Sequence, residues 1–117
     1  MITIRYNRRA LCMGDDIYNG VYEIRLPDDA ALKDLVSVMM HGGNGNGWPL
    51  PQNHGGWVIH TNAGVIAHVS PDQKSVQYCD GDGSTGLAGS GIEWAFGEYE
   101  GEDPERTALR CRTVFGS

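Results

Sequence analysis

A chain of 117 residues falls within the roughly 50–200-residue span of one domain and is too short for two cores. Hydrophobic residues make up 40% and charged residues 21%, which is the composition of a folded chain, and 17 glycines point to many turns and long loops. The net charge of −6 argues against a surface that tracks nucleic-acid phosphates, and no run of ~18 apolar residues could span a membrane.

The opening residues show no charged-then-apolar leader. Cys12, Cys79 and Cys111 are odd in number, far apart and without a Cys-x-x-Cys pair, so free thiols in a reducing compartment are expected. A cytoplasmic location follows as the expectation.

Met1–Tyr6 alternates, with Ile2, Ile4 and Tyr6 on one face, and predicts a first strand. Asn7 to Arg9 reads as a turn toward Ala10–Met13, Gly14-Asp15-Asp16 as a break and Asn19-Gly20 as a tight turn. Val21–Leu26 alternates again, with Tyr22, Ile24 and Leu26 inward. Pro27-Asp28-Asp29 reads as a helix entrance, because either carboxylate can accept first-turn amides and suits the positive end of the helix. Within Ala30–His41, Leu32, Leu35, Val36, Met39 and Met40 recur at the spacing of one helical face, and Gly42-Gly43 ends it.

His41 to Gly56 holds six glycines, two Asn-Gly pairs and Pro49-Leu50-Pro51. A loop this long in a small domain is usually functional or disordered, and Trp48 and Trp57 favour order because each ring needs burial. Trp57–Thr61, Val65–Ser70 and Ser75–Tyr78 predict a three-stranded meander, turning at Asn62-Ala63-Gly64 and Pro71-Asp72-Gln73-Lys74. Asp80–Gly91 is a second glycine-rich loop, and Ile92–Glu100 and Thr107–Phe115 read as two more strands around an acidic turn. The whole of 1–117 is therefore one α+β domain, with one helix packed on a mainly antiparallel sheet, extra C-terminal strands and long glycine-rich loops.

The order of strand, Asn19-Gly20 turn, strand ending Ile24-Arg25-Leu26-Pro27-Asp28-Asp29, and helix carrying Leu32, Leu35 and Val36 resembles the opening of a ubiquitin-like β-grasp domain, over about residues 1–60. The resemblance implies a scaffold often used for binding and carries no catalytic signature. The long loop after the helix and the C-terminal strands depart from the minimal pattern. The close at Phe115-Gly116-Ser117 lacks a Gly-Gly end, so conjugation as a modifier is not implied.

Several local patterns invite chemistry. Gly81-Asp82-Gly83-Ser84-Thr85-Gly86 matches G-x-G-x-x-G, but no helix start follows it and Asp80 and Asp82 would repel phosphate. Asp80-x-Asp82-x-Ser84 could begin a calcium loop, yet Thr85 and Gly91 stand where glycine and a bidentate glutamate are needed. A three-residue turn at 62–64 would place His60 and His68 diagonally on one face, but a metal would need further ligands, so no metal or other cofactor is expected. No catalytic signature surrounds any cysteine, and Cys111, alternating with Leu109 and Phe115, reads as a small core hydrophobe.

Glu93, Glu98, Glu100, Glu102, Asp103 and Glu105 precede Arg106 with no positive charge among them, and Trp94, Phe96 and Tyr99 are interleaved. Such a run is most often a solvated turn. Its functional counterpart is a docking surface, in which Trp48, Trp94, Glu98, Tyr99, Glu100, Glu102 and Asp103 meet a basic protein partner and no nucleic acid directly. The leading expectation is a non-enzymatic protein-interaction module. A narrower form is an inhibitor or immunity protein of a mobile or accessory gene set, whose acidic aromatic strand fills a nucleic-acid groove. The alternatives are a small metal- or thiol-dependent enzyme using His41, His54, His60 and His68, and a small-ligand binder with the His41–Trp57 loop as a lid.

Overall fold

The first two strands, β1 (Ile2–Arg8) and β2 (Tyr22–Leu26), pair antiparallel, with Ile4 opposite Ile24 and Tyr6 opposite Tyr22. All four of these side chains point to one face of the sheet, as the period-two pattern requires. The computed structural model describes residues 1–10 and 21–116. Leu11, Cys12 and Met13 of the Ala10–Met13 run, the Gly14-Asp15-Asp16 break and the Asn19-Gly20 turn lie outside the described residues. β1 runs on through Asn7 and Arg8, where the sequence suggested a turn.

Helix α1 (Leu32–His41) buries Leu32, Leu35, Val36, Met39 and Met40, the stripe expected of it. Its entrance differs from the expectation. The N-cap position is Ala31, while Asp28 and Asp29 are exposed. Asp34 Oδ2 accepts the Ala31 amide at 2.8 Å. The next two amides, Leu32 N and Lys33 N, donate to the carbonyls of Thr85 and Gly83, each at 3.0 Å. The second glycine-rich loop thus supplies by main chain what a capping side chain would have supplied. That loop is held in turn by Asp80, whose carboxylate accepts Gly83 N at 2.7 Å and Thr85 N at 3.0 Å. Gly83 has φ +75°, and a Cβ there would lie 2.9 Å from the Tyr78 ring and 3.0 Å from Lys33 Cβ. Gly83→Ala is accordingly expected to cost about 2 kcal/mol, measured as a fall in urea midpoint, through backbone strain and overpacking together.

Strands β3 (Trp57–Thr61), β4 (Gly64–Val69) and β5 (Val76–Tyr78) form the expected meander. The last strand, β6 (Trp94–Tyr99), does not lie at an edge. It enters the middle, antiparallel to β3 and parallel to β1, in the order β2-β1-β6-β3-β4-β5. Four of the five pairings among the described residues are antiparallel, so the six-stranded sheet is mixed.

The segment expected as a final strand is a helix, α2 (Pro104–Phe115). Asp103 accepts Glu105 N at 3.0 Å as its N-cap, Pro104 occupies the first turn and Gly116 closes it at φ 77°. These are ordinary helix signals. Thr107, Cys111 and Phe115, four residues apart, form its buried face, while Leu109 is exposed. Alternation along β6 places Ala95 in the α1 core and Phe96 in the α2 cluster, so the two helices cover opposite faces of the sheet.

The His41–Gly56 loop is a strap, tied down along its length. Asn46, buried, donates from Nδ2 to Val38 O at 2.9 Å and accepts Trp48 N at 2.8 Å. Tyr6 Oη donates to Trp48 O at 2.8 Å, Gln73 Nε2 to Leu50 O at 2.8 Å and Trp57 Nε1 to Pro51 O at 2.7 Å. At the β2 edge, Arg25 N donates to Asn44 O while Asn44 Nδ2 returns to Arg25 O. Gly45 lies so close to Glu23 that a Cβ there would meet its carbonyl oxygen at 2.0 Å.

Candidate functional site

Because β1 and β6 run parallel, Arg8 and Arg9 leave the sheet at the same end as Tyr99 and the acidic residues after it. Arg8 spreads its guanidinium over the Trp48 ring, 3.9 Å from the centroid, and donates from Nε to Pro49 O at 3.0 Å. Arg9 lies 4.8 Å from the Tyr99 ring centroid, and Tyr99 Oη donates to the Ala10 carbonyl. Two half-buried aromatic rings, each with a cation on one face, therefore stand at one end of the molecule.

The acidic run that follows is divided by the pleat. Glu98 points to the α2 face and is 1% exposed. Its Oε1 accepts Arg9 Nη1 at 3.0 Å and the Tyr99 amide at 2.8 Å. Its Oε2 accepts Arg110 Nη1 and Thr107 Oγ1, both at 3.0 Å. Glu102 takes a second bond from Arg9 Nη1 at 2.6 Å, and that hydrogen bond holds its carboxyl below the usual range. The ions Arg9, Glu98, Glu102 and Arg110 thus join β6 to α2, with each Glu98 lone pair answered as burial demands.

Glu100, Asp103 and Glu105 remain at the surface. Glu100 Oε2 lies 2.8 Å from His68 Nδ1, and both side chains are nearly half exposed. Asp103 is spent partly on capping α2. Of the residues expected to dock a partner, Trp48, Tyr99, Glu100, Glu102 and Asp103 thus gather at this end. Glu98 is committed internally, and Trp94 lies at the opposite end of β6, stacked on Phe115 with centroids 4.7 Å apart.

His60 and His68 share a face of the sheet, because Val58 is opposite His68 and alternates with His60. Ile66 is the extra residue of a bulge, so His60 pairs with Val65. Among the described residues no group of three or more His, Cys, Asp or Glu side chains is arranged to hold a metal ion. Burial holds the His60 imidazole below its ordinary value, against the opposing pull of Glu98 and Glu100. The unfolded chain therefore binds this proton at higher pH than the folded one, so stability is full above about pH 6.5 and declines below it. His60→Gln is expected to remove that part of the decline between about pH 7 and 5, read from urea midpoints.

Cys111 is 3% exposed, and burial, reinforced by Glu98, pushes its thiol up to about 12. A thiol so placed carries almost no thiolate at neutral pH and makes a poor nucleophile. Cys79 is exposed. Asp80, just before the G-x-G-x-x-G stretch, and Asp82 within it accept amides of their own loop. The α1 amides nearby are taken by carbonyls, which leaves no anion cradle at that helix start.

No helix among the described residues is long and apolar enough to cross a membrane. No protein-family model matches the chain, and no curated protein or solved structure matches it either.

Proposed function

We propose that the chain is a non-enzymatic protein-interaction module on a β-grasp-like sheet, docking a basic partner at the Trp48–Tyr99 end. The scaffold part rests on topology. A β1–β2 hairpin, helix α1 and strands β3 and β4 flank a β6 that lies between β1 and β3, parallel to β1. On this view β5, α2 and the two glycine-rich loops are additions to the grasp core.

The docking part is carried by one observation, the gathering of Trp48, Tyr99, Glu100 and Asp103 at one end of the sheet, with both rings half-buried and the carboxylates outward. Aromatic rings fixed by neighbouring cations provide contact area at little entropic cost, and surface carboxylates steer a basic approach. The thiol-dependent alternative draws no support from Cys111, and the lid alternative none from a loop bonded to Tyr6, Gln73 and Trp57.

A photocrosslinking residue placed at position 48 or 99 in the producing cell is expected to capture the same protein. The same residue at Leu109, exposed on the outer side of α2, should not. Glu100→Lys should weaken capture, and raised salt should weaken it too, because exposed charge attraction is screened. Equal capture from Leu109, or capture indifferent to both Glu100→Lys and salt, would refute the surface. An inhibitor or immunity protein with a nucleic-acid-handling target is the narrower form, and it further requires that the captured partner lose nucleic-acid binding in the complex.

A further inference from the structure

Thr107, Cys111 and Phe115 turn one side of α2 to the sheet, with half-buried Arg110 and Val114 beside them. Glu105, Ala108, Leu109 and Arg112 are exposed on the other side. At about 100° per residue these four form a single outward stripe two turns long. A shallow hollow runs along it, lined by the same four residues with Asp103 and Arg106. Leu109 is 58% exposed. Neither Glu105 nor Arg112 joins an ion pair among the described residues. A lone exposed leucine calls for no partner by itself, so the weight falls on the order of the residues around it.

We infer that this stripe packs on the same stripe of a second copy of the chain, the two α2 helices crossing antiparallel about a two-fold axis level with Ala108 and Leu109. The order along the stripe is acid, small, apolar, base, and Glu105 and Arg112 stand equally far from its centre. Reversing such a helix against itself puts Glu105 opposite Arg112 of the second copy and Arg112 opposite its Glu105, so two-fold symmetry makes each pair twice. Beside the axis the two Leu109 side chains meet in the hollow, and on its other side the two Ala108 methyls meet. Ala108 lets the helices approach to about 8 Å at the crossing, and their divergence on either side leaves room for the longer ion pairs. A parallel pairing would set Glu105 on Glu105 and Arg112 on Arg112, and a slide of one turn would lose both ion pairs. One face of a three-turn helix buries less than the roughly 800 Å² per partner of a stable interface, so the dimer is weak. The docking end shares only Asp103 with this stripe, and a photocrosslinking residue at Leu109 would reach the chain itself.

The crossing can be trapped covalently. With helix axes about 8 Å apart, the two Ala108 Cα atoms stand about 5–6 Å apart, inside the about 4.4–6.8 Å that a disulfide spans. Thr113, also exposed, lies about a quarter-turn off the stripe and away from the axis, so its two copies stand too far apart to close.

With Cys12 and Cys79 replaced by serine, Ala108→Cys at high protein concentration under mild oxidation is expected to give a covalent dimer of about twice 12.7 kDa, linked 108 to 108. Thr113→Cys in the same background should give at least tenfold less. Adding Glu105→Arg should slow the 108 linkage several-fold at low salt, and adding Arg112→Glu to that protein should restore it. Should the charge reversals fray α2 in circular dichroism, Leu109→Gln is the second probe, since it removes an exposed side chain and spares the buried face; it too should slow the linkage several-fold. Equal yields from Ala108→Cys and Thr113→Cys, a linkage elsewhere, a folded double reversal that restores nothing, or a rate indifferent to Leu109→Gln would overturn the pairing.

Discussion

Glu98→Ala is expected to destabilise the protein by about 3 kcal/mol, a drop in melting temperature on the order of 10 °C for a domain of this size. The methylenes of Glu98 matter little to this. The cost arises because Arg9 and Arg110 lose the carboxylate between them and Thr107 Oγ1 loses a 3.0 Å acceptor. Both arginines keep partial access to water, with 22% and 34% of their side chains exposed, which places the effect at the lower end for a buried ion network. Glu98→Gln retains shape and one acceptor and should cost about half as much. Thermal melts of both variants decide the matter, and a Glu98→Ala protein as stable as the wild type would show that the network contributes nothing.

Trp57→Ala is expected to cost about 4 kcal/mol, enough to leave a marginally stable domain largely unfolded. Trp57 is fully buried on β3, with its ring 5.4 Å from that of Tyr99 and its Nε1 donating to Pro51 O. Its loss would open a cavity in the α1 core and release the strap that carries Trp48. Trp57→Phe fills most of the space but leaves Pro51 O without that donor, for an expected loss of about 2 kcal/mol. Denaturant curves for the pair would separate volume from hydrogen bonding. Equal losses would mean that the indole N–H carries the whole effect.

Helix α1 was legible because Leu32, Leu35, Val36, Met39 and Met40 keep a period that only a helix satisfies, and all five are buried. The meander was legible for the same reason at period two. Helix α2 was missed because Leu109, Cys111 and Phe115 also fit an alternating pattern, and the competing stripe of Thr107, Cys111 and Phe115 begins with a polar residue. The Asp103-Pro104-Glu105 start was the signal that could have decided it, since aspartate as cap and proline in the first turn belong to helices. Thr107 is buried because its hydroxyl meets Glu98, a pairing that no local pattern announces.

The same limit explains the docking residues. A run of carboxylates in sequence does not reveal which of them meet a cation, and the parallel β1–β6 pairing that brings Arg9 to Glu98 spans 89 residues. The α1 cap was hidden likewise, because carbonyls from Gly83 and Thr85 leave no side-chain signature. Where long-range main-chain contacts replace local signals, propensity has nothing to register.

The division of the acidic segment into an inner half and an outer half depends on α2 lying over β6. Nuclear Overhauser contacts in the wild-type protein test that placement directly. The expected result is helical connectivity through Pro104–Phe115, with Phe115 ring protons close to Trp94 and Phe96 and the Thr107 methyl close to Glu98. Extended-strand connectivity across those twelve residues, or none of the contacts to β6, would contradict it.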